Sequence, residues 1–128
     1  MLLCTGGHEL AIWDPIRNIH MHIGSPPIHR SWFGNGVNGA ILCARQHGGS
    51  CANCHSCNFL AICVTTNSSV AQVHRYSSVL GVWENWRDSA AVKADIDNRP
   101  ATIIGDIFYW PTKSNYIIAF NNQEKKLK

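Results

Sequence analysis

The sequence predicts one α+β domain, mainly β, on three observations: a β-rich final third, one run of helical periodicity near the middle, and a length and apolar content suited to a single core. The chain has 128 residues, 45% of them hydrophobic and 15% charged. That is a usual size for one domain, with a charge content below the typical ~25%. So little charge argues against a disordered chain or a coiled coil.

Residues 1–50 are broken by Gly6-Gly7, Pro15, Gly24, Pro26-Pro27, Gly34, Gly36, Gly39 and Gly48-Gly49, which leaves little room for a helix of three turns. This segment reads as loop-rich, with short strands at Glu9 to Trp13, Ile19 to Ile23 and Ala40 to Ala44. A Cys-rich loop then leads into a buried strand, Phe59 to Val64. From Asn67 the texture changes. Ser68 or Ser69 can cap a helix, and Val70, Val73, Tyr76, Leu80, Trp83 and Trp86 recur at three- to four-residue steps. A helix is therefore expected from about Ser69 to Leu80, ended or kinked by Gly81. A second short helix fits Ser89 to Ile96, closed by Asp97, Asn98 and Pro100.

The last third carries the β-signal. Thr102-Ile103-Ile104 and Ile107-Phe108-Tyr109-Trp110 flank Gly105-Asp106, and Tyr116-Ile117-Ile118-Ala119-Phe120 follows a Pro-Thr-Lys-Ser-Asn turn, so a hairpin is expected. Alternation sets Phe108 and Trp110 on one face and Ile107 and Tyr109 on the other. Residues 122–128 read as a solvated lysine-rich tail.

Composition also excludes functions. Eleven Lys and Arg against eight Asp and Glu leave +3, and Lys113, Lys125, Lys126 and Lys128 supply much of the excess within the last sixteen residues. A nucleic-acid footprint would spread over the domain, so no nucleic-acid partner is expected. No apolar run approaches the ~20 residues that cross a bilayer, so no membrane partner is expected either. The opening MLLCTGGHE has no basic residue before its apolar residues and meets Gly6 too early for a signal core. The chain is accordingly expected in the cytoplasm, where six cysteines would be buried small side chains or metal ligands, with disulfides as the remaining option.

The densest chemical cluster is Cys51-Ala-Asn-Cys54-His55-Ser-Cys57, with Cys43, His47 and Cys63 nearby. Cys51, Cys54, His55 and Cys57 are the candidate zinc ligands, since Cys-x-x-Cys lets two thiolates reach one tetrahedral metal. Cys51-x-x-Cys54-His55 also has the form of a c-type haem attachment site. Against both stands a plain Cys-rich loop with no cofactor. His20-x-His22 would put two imidazoles on one strand face, yet no carboxylate stands at a telling distance, and scattered surface histidines are the simpler reading. Asp14, Glu84, Asp88, Asp95, Asp97 and Asp106 form no pair suggesting general acid and base. Gly34-x-Gly36-x-x-Gly39 lacks the preceding strand and following helix of a dinucleotide site.

Ile104-Gly105-Asp106-Ile107-Phe108-Tyr109-Trp110-Pro111, followed by Tyr116 to Phe120, resembles the signature of the small bacterial and archaeal cyclophilin-like proteins. The similarity spans about residues 76–121, and only the Gly-Asp to Pro stretch is specific; Thr112 and Lys113 stand where the family has Gly and Pro-Gly. The resemblance implies a small closed β-barrel with one or two helices and a hydrophobic groove. It also implies a binding module for an unknown small molecule or peptide, with Tyr109 and Trp110 as groove aromatics. Both rings could instead serve the core. Prolyl isomerase chemistry would need an Arg beside an apolar pocket, and Arg30 with Trp32 and Phe33 is the suggestive trio. The alternative function is metal binding through the Cys43 to Cys63 cluster.

Overall fold

Residues 59–67, FLAICVTTN, are apolar and β-branched without polar alternation, the pattern of a strand covered on both faces. The computed structural model describes residues 2–6, 9–14, 18–24, 26, 36–43, 59–67, 69–84 and 88–128, and places this stretch at the centre of three stacked layers.

The first sheet is an antiparallel meander of Leu2–Gly6 (β1), Glu9–Asp14 (β2) and Ile19–Gly24 (β3). The central sheet is built from Val37–Cys43 (β4), Phe59–Asn67 (β5) and Val70–Ser77 (β6), with Val82–Trp83 (β7) and Asp88–Ala91 (β8) both paired to β6. The third holds Thr102–Ile104 (β9), Ile107–Pro111 (β10), Ile117–Asn121 (β11) and Lys126–Leu127 (β12) in the order β12-β11-β10-β9.

The central sheet buries both faces. Phe59, Ala61 and Cys63 pack on Leu10, Ile12 and Ile23 of the first sheet, and Trp83 Nε1 donates to the Ile23 carbonyl at 2.9 Å across that interface. The alternate residues Ile62, Val64, Ala71 and Val73 pack on Phe108, Trp110, Ile118, Phe120 and Leu127 of the third sheet. Arg75 ties these two layers at their edge, its guanidinium donating to the Glu84 carboxylate and, at 2.8 Å, to Asn122 Oδ1.

The α+β expectation is overturned, since every regular element among the described residues is a strand. The barrel that the resemblance implies is not formed either: the strands make three separate sheets, each with open ends. The expected helix from Ser69 to Leu80 is β6 followed by the turn that leads to β7. Its false periodicity has a physical source. Val73 faces the third sheet while Tyr76 packs on the first-sheet side, so a strand buried on both faces shows apolar residues three apart. The Ser that looked like an N-cap sits in a hairpin turn, with Ser69 N donating to the Asn67 carbonyl at 2.6 Å; Ser and Asn suit both roles. The expected helix at Ser89 to Ile96 is β8 followed by irregular chain.

In residues 1–50 the three expected short strands form as β2, β3 and β4, the last beginning at Val37, and β1 is the strand the sequence did not reveal. The expected solvated tail is corrected too: β12 pairs with β11, and Leu127 is buried in the core. The hairpin of β10 and β11 is as expected, with Phe108 opposite Phe120 and Trp110 opposite Ile118.

Candidate ligand-binding cleft

The β10–β11 connection is stiffened by its own polar residues. The Tyr116 carbonyl accepts from Thr112 N at 3.1 Å and from Thr112 Oγ1 at 2.8 Å, while Ser114 N donates to the same hydroxyl at 3.3 Å. A Thr hydroxyl both donates and accepts, which is what lets one side chain close this turn. Residues 95–97 run beside it: Lys113 N donates to the Asp95 carbonyl at 2.9 Å, Asp97 N to the Pro111 carbonyl at 3.0 Å, and Ile96 bridges to Thr112. Asn38 Nδ2 anchors that segment from β4 by donating to the carbonyls of Asp97 at 2.9 Å and Arg99 at 2.6 Å. The Asn98 backbone N–H on the Asp97 carboxyl, helped by the Arg99 guanidinium, holds that carboxyl below its ordinary range.

Just upstream, Val92 N donates to the Ser69 carbonyl at 2.8 Å and fixes the exit of β8. Lys93 then reaches back over the Tyr116 ring, with Nζ 5.2 Å from its centroid, within cation–π range. The other wall is made by residues 127 and 128. Lys128 exchanges two backbone hydrogen bonds with Ala119, at 3.0 and 2.7 Å, and Leu127 N donates to Asp88 Oδ2 at 2.7 Å.

Between these walls lies a cleft of about 250 Å³. Buried Thr112 and Ile118 lie deepest, with half-buried Val92 beside them, while Tyr116 at 48% and Ile117 at 65% exposure form the rim. Lys93, Lys128 and Ala91 complete the lining. Its chemistry is a largely aliphatic slot with the Lys93 ammonium over the Tyr116 ring and Lys128 in the lining.

Of the two candidate groove aromatics, Trp110 takes the core place that the sequence also offered. Trp110 is fully buried, stacked on Phe108 with centroids 5.8 Å apart, so its ring belongs to the core. Tyr109 is half-buried on the opposite face of β10, opposite Ala119 and Thr102. Neither lines the cleft.

Cys51, Cys54, His55 and Cys57 lie outside the described residues, as do His47, Arg30, Trp32 and Phe33. Cys43 and Cys63, the ends of that cluster, are held apart. Cys43 stands opposite Phe59 and Cys63 opposite Gly39, four strand residues or roughly 13 Å along the ladder. Cys63 is free and fully buried, and burial pushes its thiol up to about 12. His20 and His22 occupy β3 opposite Trp13 and Ala11. No group of three or more His, Cys, Asp or Glu side chains able to hold a metal occurs among the described residues. Among those residues, too, no helix is long and apolar enough to cross a membrane.

Lys93, Tyr116 and Lys128 escaped the sequence reading because each looked ordinary alone. Tyr116 read as one more strand aromatic and Lys128 as part of a free tail. The available signal was the Pro-Thr-Lys-Ser-Asn turn, which ends on a Tyr just where the chain leaves the core.

Comparison with protein-family models, curated proteins and solved structures finds no match to this chain.

Proposed function

We propose that this domain is a binding module whose site is the cleft between β8 and the β11–β12 edge, and that it takes a small molecule or a single peptide side chain. The observation that supports this most is the concave slot of about 250 Å³ in which an exposed Tyr116 and Ile117 stand over buried Ile118 beside a pre-placed Lys93. Concave, mostly apolar sites with a few fixed polar groups are the usual form of small-ligand sites, and about 300 Å³ is the lower end of their ordinary range. The site therefore suits a ligand smaller than a typical cofactor. A cytoplasmic setting fits this reading, because the free Cys63 thiol suits a reducing compartment.

Titration with 1-octanol, a neutral apolar probe, tests the reading by NMR. The amides of Val92, Lys93, Ile117 and Ile118 should shift together and saturate. Ala91→Phe, which puts a ring into the slot, should abolish the shifts while the melting temperature stays within a few degrees. Shifts confined to the exposed Val79, Leu80 and Val82 turn, or none at all, would sink the assignment.

A further inference from the structure

Resting on the reading above, we infer that the cleft takes a small monocarboxylate with a short aliphatic body. Its size comes first. About 250 Å³ holds about eight groups of the volume of a water molecule, near 30 Å³ each. An eight-carbon chain is of a size to fill that space.

Its polarity follows from the lining. Val92, Ile117 and Ile118 offer aliphatic surface, and the Tyr116 ring closes one side. Among the described lining residues the charged side chains are Lys93 and Lys128, both basic. A cationic ligand would meet like charge, whereas an anionic head gains a pairing that a neutral ligand does not. An anionic head pairs with them at the exposed rim while its chain stays in the slot.

Lys93 is placed for this. Its Nζ lies 5.2 Å from the Tyr116 ring centre, within reach of a head group at the rim. A carboxylate rather than a dianion such as phosphate follows from the donors available. The two donors are flexible ammonium groups, without the fork of an Arg or a row of backbone N–H groups that phosphate sites use.

The test compares three probes of one length at pH 7: octanoate, 1-octanol and octylammonium, each followed through the amides of Val92, Lys93, Ile117 and Ile118. Octanoate should bind tightest and weaken as salt rises. Lys93→Met and Lys128→Met should each lower its affinity about two- to fivefold, the size of an exposed ion pair, and flatten its salt dependence. Equal affinity for octanoate and 1-octanol, or preference for octylammonium, with the same amides shifting, overturns the carboxylate inference and leaves the binding site standing. If none of the three probes moves those amides, the binding site and the inference fall together.

Discussion

Trp110→Ala is expected to lose about 3 to 5 kcal/mol of unfolding free energy, the usual cost of removing a large buried aromatic ring. The ring is fully enclosed, stacked on Phe108 at 5.8 Å, and packed in the core that joins the central and third sheets. Domains hold together by only ~5 to 15 kcal/mol, so this variant should melt far below the parent or fail to fold. Trp110→Phe separates packing from polarity. The indole Nε1 is buried and makes no hydrogen bond among the described residues, so losing the N–H costs nothing and only the smaller ring volume is felt. Urea denaturation of the two variants should therefore rank Ala far below Phe. Near-equal midpoints for Trp110→Ala and the parent would place the ring at the surface.

Glu84→Gln should be the next most damaging change, at about 3 kcal/mol. Arg75 and Glu84 side chains are 11% and 16% exposed, and the guanidinium meets the carboxylate through both Nε and Nη2, the latter at 2.9 Å. Removing the Glu84 charge takes from a nearly buried guanidinium its two-point carboxylate partner, and that penalty outweighs what the pair itself contributes. The double variant Arg75→Met with Glu84→Leu should recover much of the loss, because it removes both desolvation costs at once. Thermal unfolding of the single and double variants checks both statements. A single variant as stable as the parent would mean that the pair is solvated.

The contrast between elements the sequence revealed and those it hid follows from how each strand is covered. The third sheet has one buried face and one partly open face, so Phe108 and Trp110 alternate visibly with Ile107 and Tyr109, and the burial follows that alternation. The central sheet is covered on both sides, so β5 has no alternation and β6 shows apolar residues at mixed spacings that imitate a helix. Only the third dimension separates those readings. Gly and Pro in the first fifty residues marked real breaks, but short strands paired by a meander need few residues and survive between them.

The site was harder to see than the fold. Its residues come from β8's exit, the turn at Thr112 to Tyr116, β11 and Lys128, segments separated by up to 37 positions. No local motif links them. The Cys-rich run drew attention because its ligands are adjacent in sequence, whereas the cleft exists only because Thr112 closes its turn and β12 folds back on β11.

A crystal structure of the octanoate complex tests the central claim most directly. The account predicts an acyl chain lying between Val92 and Ile118, under the Tyr116 ring, with its carboxylate facing Lys93 and Lys128. Density for the probe at the Val79 to Val82 turn or on β9, with the cleft empty, would contradict it.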